Sequence, residues 1–423
     1  LLSVDPFYRL MWEDGYVFDY TSDEKRLLDQ IRAKNPRDAE GYQRFHQYSM
    51  ELFREGYQKL GAVPFLSFWS MIRAAPQLVG LQSYRSVYDR LGDFVKDPQL
   101  RQAFSFHTLL VGGDPFKTSA IYALIHALER EWGVWFPRGG TGALIEGMGR
   151  LFRDLGGVIR LAAPVREITL ENGRASEVIC DDGSRARFDA VASNADIVHT
   201  YDKLLGRTDL GVRKARALRG KRFSNSLFVA YFGLKRKHPQ LAHHTIIFGP
   251  RYRELIAEIF AGPRLPDDFS LYLHRPTATD PALAPEGCDA FYVLSPVPNL
   301  GKAKIDWAVE GPKYRDRIFE YLEQRYIPGL RADLVTSRLF TPADFVTELN
   351  AHLGSAFSIE PILTQSAYFR AHNRDDDIPN LYVVGAGTHP GAGIPGVVGS
   401  AKATAGLMLE DLGAAAPALH AAQ

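Results

Sequence analysis

Cysteine is nearly absent from this 423-residue sequence, with Cys180 and Cys288 as its two representatives. Neither stands in a CxxC pair, so no disulfide framework is expected and no metal site is read from spacing. Two reduced, inert thiols in a reducing compartment are expected instead. An excess of either charge is also missing. Fifty Lys and Arg stand against 49 Asp and Glu, and the basic residues are scattered, which excludes the basic stripe of a nucleic-acid binder. Long apolar runs are lacking as well. No stretch approaches the roughly 18 uninterrupted apolar residues that a membrane-crossing helix needs. The opening LLSVDPFYRL has no methionine, no basic start and no cleavage site of a secretory signal. It reads as the continuation of a longer product. What remains is 46% hydrophobic and 12% aromatic, an ordinary globular composition with material for two or three domains.

Residues 1–135 are expected to be mainly helical. In DAEGYQRFHQYSMELFREGYQKL, Tyr42, Phe45, Tyr48, Phe53 and Tyr57 recur near helical spacing. Such a stripe packs a core or lines a channel for an apolar ligand, and both readings stay open. Gly61 to Leu81 is the most hydrophobic stretch, but Pro64, Arg73 and Pro76 interrupt it. It lies either in a membrane interface, with Phe65, Phe68, Trp69 and Met71 entering lipid, or as a buried helical hairpin.

The character changes at residues 136–200. After Gly139, Gly140 and Gly142, a helix is predicted with Leu144, Ile145, Met148, Leu151, Phe152 and Leu155 on one side, stopped by Gly156 and Gly157. Val158, Ile159 and Leu161 are expected to open a strand that Val165 and Ile168 continue. Asn172-Gly173 marks a hairpin, and 189–196 reads as a buried strand ending in a polar loop. Residues 201–370 hold strand-like runs such as SLFVAYFGL and AFYVLSPVP, with an amphipathic helix over 312–326 starting at Pro312. This span is read as a substrate domain placed between nucleotide-type segments. Residues 371–412 form a C-terminal ligand-binding segment, and 413–423 an Ala-rich tail expected to fray.

The most informative segment is NLYVVGAGTHPGAGIPGVVGSAKATAGLML, Asn380 to Leu409. A short apolar strand leads into six glycines within fifteen residues and then into an apolar helix. Glycines let the backbone approach a flat or charged ligand, and the free N–H groups of a helix start then face it. The ligand is either a pyrophosphate or the electron-rich edge of a reduced flavin. Gly391-Ala-Gly393-Ile-Pro-Gly396 fits GxGxxG. It follows its strand at a distance and the sequence nearly ends after it, so it is not read as the primary adenosine-binding fingerprint.

These residues carry a resemblance. Asn380 to Ile394, followed by Gly399-Ser400, resembles the C-terminal signature of the bacterial-type phytoene desaturases. RQAFSFHTLLVGGDPFKTSAIYALIHALEREWGVWFPRGGTGAL, SNADIVHTY, LAHHTIIFGPRYREL and LAPEGC extend it along most of the chain. The resemblance implies an α/β, amine-oxidase-like fold. Its Rossmann-like FAD-binding domain would be incomplete at the N-terminus, beside a mixed β-sheet substrate domain and a helical, membrane-facing region. It implies FAD as cofactor. Gly385, Ala386, Gly387, Thr388, Gly393, Ile394, Pro395 and Gly396 are implied as flavin contacts, with Val165 at the adenine and Asn194 and Asp196 nearby. Arg73 is the one residue carried over toward the chemistry, since Ser70 stands where relatives carry an acidic residue. The implied reaction removes a proton and a hydride from a C40 polyene, phytoene, on the way to lycopene. The expected location is peripheral, on the cytoplasmic face of a bacterial membrane. Three alternatives stay open: a flavin-dependent carotene cis–trans isomerase, a desaturase with another end product or a C30 substrate, and a catalytically dead fragment that binds lipid.

Overall fold

The computed structural model describes residues 1–413; the tail expected to fray lies, from residue 414 on, outside the described residues. Strands follow in chain order as β1 (Leu2–Val4), β2 (Tyr8–Trp12), β3 (Val17–Tyr20), β4 (Val134–Phe136), β5 (Val165–Glu171), β6 (Arg174–Cys180) and β7 (Arg185–Arg187). They continue as β8 (Val191–Ser193), β9 (Ser226–Leu234), β10 (His244–Phe248), β11 (Leu271–His274), β12 (Asp289–Val297), β13 (Leu334–Phe340) and β14 (Leu381–Val383). The largest sheet has seven strands in the order β13-β9-β12-β11-β10-β2-β3. Its centre is the long antiparallel pair β9 and β12, in register from Ser226 with Val297 to Leu234 with Asp289.

Along β12 every second residue is buried, from Asp289 through Phe291, Val293 and Ser295 to Val297. That period-two pattern gives one closed face. It meets the helix Trp307–Arg325, where Phe228, Phe291, Val293, Trp307, Ile318, Phe319 and Leu322 share one core. This helix starts five residues before the expected Pro312. The Asp306 side chain caps it by accepting from the Ala308 N–H at 3.1 Å, and Pro312 lies inside. A capped first turn outweighs the start signal of a proline.

The first 135 residues depart from the helical expectation at their beginning. β2 pairs in parallel with β10 and antiparallel with β3, so residues 8–20 extend the sheet of the 201–370 span. Tyr8, Leu10 and Trp12 alternate inward, a strand pattern too short to outweigh the helical stretch behind it. The helices Glu24–Lys34 and Asp38–Leu52 close a second core, with Leu10, Phe18, Tyr20, Ile31, Tyr42, Phe45 and Phe104. Within the aromatic stripe, Tyr42, Phe45, Tyr48 and Phe53 are buried, which makes its main role core packing.

Two further findings concern the middle of the chain. The helix Thr141–Asp154 forms where expected, yet none of its residues is buried. Val158, Ile159 and Leu161 do not open a strand. β5 begins at Val165, opposite Cys180 of β6, because only from there does a partner strand run alongside. The hairpin at Asn172-Gly173 is present with both residues at positive φ, 51° and 74°, the turn whose twist matches its flanking strands. Both cysteines are free.

Candidate functional site

β14 is fully buried and pairs in parallel with β8. Parallel pairing brings the ends of both strands out on one side, so Asn194 and the glycine loop emerge together. The Asn194 amide donates to the Val384 carbonyl at 2.9 Å. Gly385 follows at φ 110°, and a Cβ there would stand 2.4 Å from Asn194 Nδ2. Only glycine meets both demands.

Beyond Gly385 the loop is held by buried hydroxyls. The Gly385 N–H donates to Ser400 Oγ at 3.0 Å, and Thr388 Oγ1 lies 2.8 Å from the same oxygen. Asn373 Nδ2 reaches Ser400 and Thr404 at 3.1 Å each and Thr388 Oγ1 at 3.3 Å. The small side chains in SAKATAG thus serve as loop anchors as well as close-packing surface. The helix Ile394–Asp411 starts at Gly393, whose φ is 87°, and no side chain caps it. Its first residues, Ile394 and Pro395, are exposed, with Gly396 half-buried behind them.

Two residues outside the expected set occupy the heart of the loop. Arg370 is buried and pairs with no carboxylate among the described residues. Its Nε donates to the Thr388 carbonyl at 3.0 Å, and its Nη2 to the Ala386 and Ile359 carbonyls at 2.6 and 2.9 Å. Nη1 is buried without a partner among the described residues. Burial lowers the pKa of this guanidinium from its ordinary value. His389 packs edge-on against Phe65, ring centres 4.9 Å apart, and burial pushes its pKa down to about 4. Neutral at pH 7, it donates from Nε2 to the Leu60 carbonyl at 3.0 Å, leaving Nδ1 as a buried acceptor with no partner among the described residues. The hint to Arg370 in the sequence was its place in AYFRAHNRDDD, just before β14. Nothing local distinguished it from the arginines around it.

The remaining expected residues are spread out. Asp196 turns away to cap the next helical turn, accepting from the Val198 and His199 N–H groups at 2.9 and 3.1 Å. Val165 and Asp196 line one open cavity of about 610 Å³ with Asp181, His199 and His352, and no residue of the glycine loop lines it. Ala386 and Gly387 are half-buried within the loop. Arg73 is exposed on the helix Phe68–Gly80 and makes no hydrogen bond or ion pair among the described residues.

A strand, a glycine loop and an uncapped helix start, backed by an orphaned donor and an orphaned acceptor, suit a flat heterocycle bearing both carbonyls and ring nitrogens. The family profile described as flavin containing amine oxidoreductase matches residues 2–409. The chain belongs to that family, in its phytoene desaturase branch. Over 412 residues it is 66% identical to a phytoene desaturase (lycopene-forming) of Pseudescherichia vulneris, covering 97% of this chain and 84% of that protein. A phytoene desaturase (neurosporene-forming) of Rhodobacter capsulatus is 40% identical over 96% of this chain and 78% of its own. Among solved structures, cyclohexylamine oxidase from Brevibacterium oxydans superposes with a TM-score of 0.58 at 15% identity, covering 98% of this chain and 82% of that one. The last likeness shows the amine-oxidase fold. This desaturase-branch flavoprotein is an oxidoreductase, and the residues of its C-terminal loop fit the flavin.

Proposed function

We propose that the chain is an FAD-dependent desaturase that acts on phytoene toward lycopene. The observation that carries this reading is the buried loop with two unpaired polar atoms, Arg370 Nη1 and His389 Nδ1, in a chain so similar to a lycopene-forming relative. When bound, FAD supplies the acceptor for a hydride taken from the polyene. The protein's part is to hold and to exclude water. Gly385 and Gly393 let the backbone approach the ring. The uncapped start of the Ile394–Asp411 helix favours negative charge in front of it. Arg370 adds a charged donor and His389 an acceptor. A hydrocarbon offers no hydrogen bonds, so its affinity must come from buried apolar area.

A substrate of this kind dissolves in bilayers, and no helix among the described residues is long and apolar enough to cross one. The proposed contact is peripheral, on the cytoplasmic face, through the helix Phe68–Gly80. It exposes Phe68, Trp69, Ile72 and Val79, with Arg73 among them, an apolar surface with a cation for headgroups. Phe65, expected in the same contact, is instead buried against His389.

The test supplies the purified protein with FAD and phytoene in liposomes and separates the extracted polyenes. Lycopene is the expected product. Neurosporene moves the chain to another end product, an altered isomer ratio without oxidation makes it an isomerase, and unchanged phytoene with lipid bound leaves a lipid-binding protein. Arg73→Ala in the same assay tests its part in the chemistry. A fall in turnover with flotation on liposomes unchanged supports that part, and a parallel fall in both assigns it to the membrane contact.

A further inference from the structure

Three histidines meet on the large sheet, far along the chain from the glycine loop. His244 of β10 stands opposite His274 of β11 in the antiparallel register, so both side chains leave the same face. Neighbours within one strand point to opposite faces, but His243 precedes β10 and escapes that rule. Its carbonyl accepts from the Arg275 N–H at 2.8 Å, which holds it beside the pair. One ring nitrogen from each imidazole lies within 4.8 Å of the others, and His243 Nε2 is 2.9 Å from His274 Nε2.

Two of the three outer nitrogens have hydrogen-bond partners, as those of metal-ligating imidazoles do. His243 Nδ1 lies 2.6 Å from Thr279 Oγ1, and His244 Nδ1 lies 2.6 Å from the Tyr272 hydroxyl. Where each hydroxyl accepts the Nδ1–H, the tautomer is fixed and Nε2 carries the lone pair; the hydrogen bond between His243 Nε2 and His274 Nε2 would give way to the metal, with loss of its proton. His274 Nδ1 is buried without a partner among the described residues. We propose that His243, His244 and His274 bind one divalent transition cation of the zinc class through three imidazole nitrogens. Nitrogen ligands without carboxylates select such ions over calcium and magnesium. Zinc–nitrogen bonds of about 2.0–2.1 Å in a tetrahedron set the nitrogens roughly 3.3–3.4 Å apart, so the 2.9 Å pair opens by a few tenths of an ångström through side-chain rotation. His243 and Thr279, with Arg9, Leu241 and Arg275, line an open cavity of about 540 Å³ beside the cluster. The bound ion pins β10 to β11. No residue of the flavin loop takes part, so the inference stands apart from the desaturase reading.

The test uses the full chain, freed of any affinity tag and stripped with a chelator. Equilibrium dialysis against zinc, read by elemental analysis, is expected to give one ion per chain. Cobalt in its place is expected to give the visible bands of tetrahedral Co²⁺. His243→Ala and His274→Ala are each expected to weaken zinc binding at least tenfold, while His199→Ala, at the other cavity, leaves it unchanged. No zinc retained by the parent protein, or equal retention by both variants, overturns the proposal. Should a variant fail to fold, X-ray absorption on the zinc-loaded parent decides. Three imidazoles in the shell uphold the site, and fewer overturn it.

Discussion

Two helices of similar sequence character meet opposite fates in this molecule. In the helix Trp307–Arg325, Trp307, Tyr314, Ile318, Phe319 and Leu322 are all buried against the seven-stranded sheet. In the helix Thr141–Asp154, Leu144, Ile145, Met148, Leu151 and Phe152 line up as regularly, yet each is between 41% and 61% exposed. Both carry an apolar side at helical spacing. The difference teaches that periodicity fixes which side of a helix is apolar but not whether anything covers it. Cover depends on a second surface, and among the described residues only the first helix has one.

The sharpest way to break this comparison is to truncate both sides. Phe319→Ala is expected to cost about 3–5 kcal/mol, since it empties a packed core, whereas Leu151→Ala is expected to stay within about 0.5 kcal/mol. Urea denaturation of both variants measures this. Equal losses would mean that the Thr141–Asp154 helix is covered in solution.

The next effect concerns the flavin loop. Gly393→Val forces a β-branched residue to φ 87°, with its Cβ 3.1 Å from Val111 Cγ1. We expect at least a tenfold loss of flavin retention with little change in helix content, read by visible absorbance and circular dichroism. A yellow, active variant would remove the flavin from this loop.

A smaller effect tests the buried core beside β2 and β3 through pH. His126 is buried among Tyr20, Tyr42, His46, His107 and Arg130, and burial foremost holds its pKa well below the ordinary value. The unfolded chain then binds a proton, from about pH 6.5 downward, that the folded chain refuses. Stability is therefore whole above that pH and declines as pH falls. His126→Gln is expected to flatten the decline, measured as urea midpoints on either side of about pH 6.5. An unchanged slope would place the acid sensitivity elsewhere, for example in His389, whose pKa burial pushes down to about 4.

The smallest effect belongs to exposed apolar surface. Trp69→Ser is expected to leave the urea midpoint within about 0.5 kcal/mol of the parent while weakening liposome flotation. Phe65→Ser, at the buried end of the same stretch, is expected to lose stability instead. If the two behaved alike, the division between covered and uncovered residues in Gly61–Leu81 would fail.

Legibility in the sequence followed the range of the interactions. The strand, loop and helix of residues 380–409 were visible because β14, the glycines and the following helix are local. The hairpin at Asn172-Gly173 was visible for the same reason. The paired strands β2 and β3 were missed because each is short and because β2 joins the sheet only through β10, more than 200 residues away. Arg370 and His389 acquire their surroundings from Ile359, Ala386, Thr388 and Leu60, and no spacing announces such a set.

By itself the sequence determined the apolar periods, the glycines that positive φ requires and a motif specific enough to point to the desaturase branch. Tertiary structure alone decided which apolar faces are covered, where two polar atoms are left unpaired beside the glycine loop, and how three histidines meet. The physical reason is reach. Propensity and period act over a few residues, whereas burial and the convergence of His243 and His244 with His274 depend on strand register between segments about 30 residues apart.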